Sequence, residues 1–132
     1  KASGFSDGIS FVEDDVFEYL RGIEQGKLFD VIVCDPPAFA KTRQHYEEAF
    51  RAYLSLNYLA MKRLKPGGLL VTCSCSQALS TAEFNEAVLT GARNARMQFQ
   101  VLERRGAPAD HPVMLGLPET EYLKCFVLER TE

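Results

Sequence analysis

The run Phe29-Asp30-Val31-Ile32-Val33-Cys34, cut off by Asp35-Pro36-Pro37, constrains this chain more than any other feature. Its β-prone character is continuous rather than alternating, which suits a strand buried on both faces of a parallel sheet. The prolines end the ladder because they have no N–H to donate. A parallel neighbour requires a crossover, and the sequence supplies one. From Gln44 to Leu64 the apolar residues Ala49, Tyr53, Leu56, Leu59, Ala60 and Leu64 recur at helical spacing. After a break at Lys65-Pro66-Gly67-Gly68, the run Leu69–Cys73 predicts a second buried strand, closing at Ser74-Cys75-Ser76.

The same alternation extends in both directions. Ile9-Ser10-Phe11-Val12 reads as a short first strand ending in Glu13-Asp14-Asp15. Val16 to Gln25 follows as a helix with Val16, Tyr19, Leu20 and Ile23 on one face, capped by Asp14 or Asp15 and ended by Gly26. Thr81 to Ala95 is helical, with Phe84, Ala87, Val88 and Ala92 in register. Phe99–Glu103 and Tyr122–Leu128 read as strands separated by a long segment rich in proline and glycine. The order β-α-β-α-β-α-β-loop-β predicts an α/β fold with a doubly wound parallel sheet. With no helix between them, the last two strands are expected to pair antiparallel at its edge.

At 132 residues the chain is expected to form one domain. Apolar residues are 46% and no apolar run nears the roughly 20 residues that span a bilayer, so no membrane partner is expected. The start, Lys1-Ala2-Ser3-Gly4, does not resemble a signal peptide, and a cytoplasmic location is expected. The net charge of -3 lacks the basic footprint of nucleic-acid binders. Any basic surface must be local, and Lys41, Arg43, Lys62, Arg63, Arg104 and Arg105 are its candidates against the simpler reading of solvated charges. Cys34, Cys73, Cys75 and Cys125 match no paired zinc spacing, and His45 and His111 stand apart. Free thiols and no metal are expected.

In open parallel sheets, ligands bind beyond the carboxyl ends of the strands. Three predicted strands end in polar groups, Asp14-Asp15, Asp35-Pro36-Pro37 and Ser74-Cys75-Ser76, and the crossovers put all three on one rim. Asp35 is then either a carboxylate aimed at a ligand or a solvated strand terminator. Phe39 is a base-stacking ring or a plug over the core. Cys75, at a strand end beside a helix entry, is a nucleophile or one more small core residue. His111, in a long irregular segment, is a rim contact or a surface turn residue.

Val33-Cys34-Asp35-Pro36-Pro37-Ala38-Phe39-Ala40 resembles motif IV of class I S-adenosylmethionine-dependent methyltransferases. Thr72-Cys73-Ser74-Cys75-Ser76 resembles motif VI of the RNA cytosine carbon-5 enzymes. Together with Asp110-His111-Pro112-Val113 and Pro118-Glu119-Thr120-Glu121-Tyr122-Leu123-Lys124, the pattern is similar to ribosomal RNA large subunit methyltransferases from about Ile9 to Glu129.

That resemblance implies a Rossmann-like methyltransferase sheet, the cofactor S-adenosyl-L-methionine and large subunit ribosomal RNA as partner. It implies Cys75 as the nucleophile toward carbon 6 of cytosine and Asp35 as the group holding the base edge. Pro36 and Pro37 would shape the pocket, Pro36 toward the cofactor and Pro37, Phe39 and His111 toward the substrate. Asp15 and Val16 fall where the family contacts adenine. The family's glycine-rich loop, the acid that grips the ribose and an N-terminal RNA-binding domain have no counterpart here. Residues 1–132 are therefore expected to be the C-terminal portion of one catalytic domain, lacking its first two strands and inactive alone. The gap leaves an edge of the Phe29 strand open, to be filled by the Ile9 strand or by a second copy in a homodimer. Two other readings are open: a guanine N7 or other RNA or DNA base methyltransferase, which needs no Cys75, and a non-catalytic RNA-binding domain, which the acidic balance disfavours.

Overall fold

The computed structural model describes residues 8–107, 110, 112–117 and 121–132. Three helices, α1 (Val16–Gly22), α2 (Tyr46–Met61) and α3 (Thr81–Ala95), accompany four strands, β1 (Phe29–Cys34), β2 (Leu64–Ser74), β3 (Phe99–Arg105) and β4 (Lys124–Arg130). The strands form one sheet in the order β1-β2-β4-β3. β1 and β2 run parallel, whereas β4 is antiparallel to both β2 and β3. The antiparallel final pair is as expected, but β4 inserts between β2 and β3 rather than extending the edge.

Local chemistry accounts for the helix ends. Asp15 caps α1, its carboxylate accepting from the Glu18 amide at 3.1 Å. The helix closes at Gly22, three residues before its expected end, and Gly26 (φ +88°) instead makes the turn into β1. A 3-10 turn, Arg43–His45, leads into α2. Ser80 and Glu83 build a capping box for α3, and Arg96 in the left-handed region ends it. Lys65-Pro66-Gly67-Gly68 does not precede β2 but lies within it. The register jumps there, Phe29 facing Leu64 and Val31 facing Leu69, so the four residues form an excursion.

α2 and α3 pack on one face of the sheet. Leu70, Thr72 and Ser74 of β2 and Lys124, Phe126 and Leu128 of β4 point into that layer. A ladder of rings runs through it, Phe39 to Tyr53 at 4.6 Å, Tyr53 to Phe84 at 5.6 Å and Phe84 to Phe126 at 5.1 Å. Each such pair adds about 0.5–1.5 kcal/mol beyond its burial. Buried Asn57 donates to the Tyr53 carbonyl and accepts from the Thr72 hydroxyl at 2.6 Å, fixing α2 to β2.

Two expectations fail. Ile9–Val12 forms no strand, and Ile9, Phe11 and Val12 stay exposed. β1 consequently pairs on one side only and is an open edge. Nor is the β1 run buried on both faces: Val31 and Val33 are 54% and 64% exposed on the side that no helix covers. Apolar character marked the strand correctly, but continuous character did not mean two covered faces within this chain.

Candidate active site

Parallel pairing of β1 and β2 brings two of the three expected strand ends together. Cys34 faces Thr72, so Asp35 is level with Cys73 and one step from Ser74-Cys75-Ser76. Asp35 is exposed and Cys75 half-buried, at the carboxyl end of neighbouring strands. The segment from Asp35 to Ala40 is held down by two contacts. Ser76 donates its hydroxyl to the Ala40 carbonyl, and the Phe39 ring packs edge-on to Tyr53.

The turn that carries Cys75 is tied from several sides. Ser74 accepts from the Ser76 amide and Ser76 from the Ala78 amide, both at 3.2 Å. Lys124, only 4% exposed, donates its ammonium to the carbonyls of Ser76 at 2.7 Å and Tyr122 at 2.8 Å. Burial lowers the Lys124 pKa, while the neighbouring Cys75 and then Glu83 oppose that shift. A cation thus sits within electrostatic reach of the Cys75 sulfur. Sequence reasoning missed it, although Lys124-Phe126-Leu128 alternates onto the core face and so carried the signal.

Tyr53 lies beneath both segments with its hydroxyl buried and without a well-aligned hydrogen-bond partner. Ser74, Ser76 and the Phe39 backbone are nonetheless near enough to temper the upward pKa shift that burial imposes on it. The misalignment matters more than the proximity, because an unmade bond in the interior is costly.

Asp15 and Val16 are both exposed at the start of α1, and Phe17 docks that helix on Phe39 with ring centroids 6.0 Å apart. Beside them a shallow cleft of about 390 Å³ is lined by Ser10, Val12, Asp14, Val16 and Tyr19. Phe39 itself is half-buried between Phe17 and Tyr53, packing that favours the plug over the stacking platform. Pro36 is half-buried and Pro37 exposed. His111 lies outside the described residues.

A cavity of about 420 Å³ is remote from this rim, between α3 and the β3–β4 side of the sheet. The convergence of strand ends is the better guide to chemistry, because that groove is lined mainly by apolar side chains. Four of the six basic candidates are each tied to a different partner. Arg43 pairs with Glu83 at 2.6 Å, Arg63 donates to carbonyls at the end of α1, Arg104 to Asn85, and Arg105 pairs with Glu103. Among the described residues no group of three or more His, Cys, Asp or Glu is placed to hold a metal, and no helix is long and apolar enough to cross a membrane.

No family model matches the chain. Curated relatives do. Ribosomal RNA large subunit methyltransferase I of Cronobacter sakazakii is 44% identical over 117 residues, 88% of this chain and 30% of that protein. Its namesake in Shewanella frigidimarina is 41% identical over 122 residues, 92% of this chain and 31% of that protein. A protein of Methanocaldococcus jannaschii provisionally named a ribosomal RNA large subunit methyltransferase is 39% identical over 120 residues, 90% of this chain and 30% of that protein. The chain therefore spans about a third of the length of the relatives it matches. Among solved structures, one provisionally described as a methyltransferase complexed with SAH superposes with a TM-score of 0.72 at 22% identity, over 88% of this chain and 30% of that one. Another, provisionally described as a DNA modification methylase of Thermus thermophilus complexed with S-adenosyl-L-methionine, gives 0.51 at 14% identity, over 88% and 50%. These likenesses show the fold: an open, mixed sheet of the kind methyltransferases use.

Proposed function

We propose that this chain, a sequence relative of the ribosomal RNA large subunit methyltransferases, forms the base-handling end of an S-adenosylmethionine-dependent enzyme that methylates large subunit ribosomal RNA at carbon 5 of cytosine. The observation that carries this reading is the placing of Asp35 and Cys75 on one rim, beside the buried ammonium of Lys124.

The chemistry follows from those groups. The Cys75 thiolate adds to carbon 6 of the ring, which makes carbon 5 nucleophilic. A base then takes the carbon 5 proton and the cysteine leaves, so one hard step becomes two easier ones. Asp35 holds the edge of the base, Pro36 and Pro37 fix the backbone around it, and the target nucleotide enters unstacked. S-adenosyl-L-methionine supplies an electrophilic methyl group. The cleft beside Asp15 and Val16 suits its adenine end, with Val12, Val16 and Tyr19 as apolar walls, the Asp15 carboxylate for the amino group and the Val16 amide for the ring. Among the described residues nothing equivalent cradles the methionine end. The chain is accordingly proposed to act as part of a longer cytoplasmic polypeptide. Tight binding of S-adenosyl-L-methionine to residues 1–132 alone, measured by calorimetry, would contradict that. The open edge of β1 is where a second copy would add a strand, and a sedimentation profile showing only monomer would dispose of a homodimer.

The decisive test uses large subunit ribosomal RNA carrying 5-fluorocytidine, which traps the cysteine adduct because fluorine cannot leave as a proton does. With S-adenosyl-L-methionine and the chain extended to the length of its relatives, a covalent complex is expected. It should vanish in Cys75→Ala and persist in Cys73→Ala. An adduct that survives Cys75→Ala sinks the assignment.

A further inference from the structure

We propose that Cys73 and Cys125 are a reversible dithiol–disulfide pair, a modification site on the uncovered face of the sheet. The two residues are direct partners across the antiparallel β2–β4 ladder. Their sulfurs are 3.3 Å apart, one thiol donating toward the other. Residues directly opposite in such a ladder have Cα atoms about 4.5–5.5 Å apart, inside the range of about 4.4–6.8 Å that disulfides bridge. Side-chain rotation alone therefore closes the bond.

Access and selectivity come from the face on which the pair lies. Both thiols are half-buried on the side of the sheet that carries no helix, so a small oxidant reaches them. Cys34 is buried on the opposite, helix-covered side. Cys75 is two residues beyond Cys73 on the same chain, a separation of roughly 6–7 Å along extended backbone, and it has no place in the cross-strand pair.

A peroxide is the oxidant class that completes the balance. One sulfur, as thiolate, attacks a peroxide oxygen. The O–O bond breaks, leaving a sulfenic acid, and the departing hydroxide takes up the thiol proton as water. The second sulfur displaces the sulfenic hydroxyl, which leaves as a second water, and the S–S bond forms. Two thiols lose two electrons and one peroxide becomes two waters. Desolvation, and then the hydrogen bond with Cys125, push the Cys73 thiol up to about 12. The closed bond ties the strand that ends at Ser74, just before Cys75, to the strand beginning at Lys124.

The test uses hydrogen peroxide, alkylation of the remaining thiols, and tryptic digestion without reduction. Cys73 and Cys75 fall in one tryptic peptide, so mapping is done in Cys75→Ser. The expected product is a monomer with the Cys73 and Cys125 peptides joined, reopened by dithiothreitol, and absent in Cys73→Ser and Cys125→Ser. Wild-type protein should lose two of its four thiols. Because a substitution can perturb folding, reduced wild-type protein is also treated with phenylarsine oxide, a probe for paired thiols. One arsenical per chain should protect Cys73 and Cys125 together. Separate alkylation of both after peroxide, a link between two chains only, or no arsenical protection overturns the proposal.

Discussion

Lys124 is the residue through which β4 reaches the rim. Its ammonium satisfies the carbonyls of Ser76 and Tyr122, and the Lys124→Met variant would leave both without that donor. A buried acceptor left unsatisfied costs about 1–3 kcal/mol, so urea denaturation of Lys124→Met should show a loss in that range. Cys34 governs a separate response. Burial pushes its thiol from an ordinary 9.0 to about 11. Between those values the folded chain holds a proton that the unfolded chain releases, so stability is full below pH 9 and falls as pH rises toward 11. The loss approaches about 3 kcal/mol at this group. The Cys34→Ala variant should flatten that slope in denaturation curves taken across the window. Cys73 and Tyr53, also raised by burial, act in the same sense, and Lys124 in the opposite one because its lowered pKa makes the unfolded chain the better proton binder, so the Cys34 share is read as the difference between variant and wild type.

Elements differ in how well their sequences announce them. α3 begins and ends where expected, because Ser80 and Glu83 satisfy its first amides and its apolar stripe has a partner in α2. β2 starts five residues early, because Pro66-Gly67-Gly68 reads as a break when it is an excursion inside the strand. Gly68 explains the need for that composition. A Cβ there would meet the Lys65 carbonyl oxygen at 2.8 Å, Leu64 at 2.9 Å and the Asp30 carbonyl oxygen at 3.0 Å. Gly68→Ala should destabilise the β1–β2 pair by about 1–3 kcal/mol, read as a lower urea midpoint, and hydrogen exchange should report the loss first at β1. The Ile9–Val12 segment has the apolar residues of a strand but pairs with no strand among the described residues. The same partition holds at the site. The strand-end positions of Asp35 and Cys75 were legible because strand ends are marked by composition, whereas the burial of Lys124 shows only in its parity with Phe126 and Leu128.

At the scale of the molecule, one face of the sheet is packed and the other is bare, with Val31 and Val33 exposed beside an unpaired edge. The Cys73–Cys125 pair lies on that bare face and spans 52 residues of sequence. Closing a loop of that length restrains the unfolded chain by about 4 kcal/mol in the chain-entropy account. Thermal unfolding of the oxidised chain should therefore occur at a higher temperature than that of the reduced chain, and the difference should disappear in Cys125→Ser. Sheet order has a different consequence, for synthesis. β4 is the last of the four described strands in sequence yet lies between β2 and β3. As the chain leaves the ribosome, β1 with β2 and then β3 emerge as pieces with no ladder between them. The segment Lys124–Arg130 acts as the keystone, so the strands made before it stay half assembled until it too has left the ribosome.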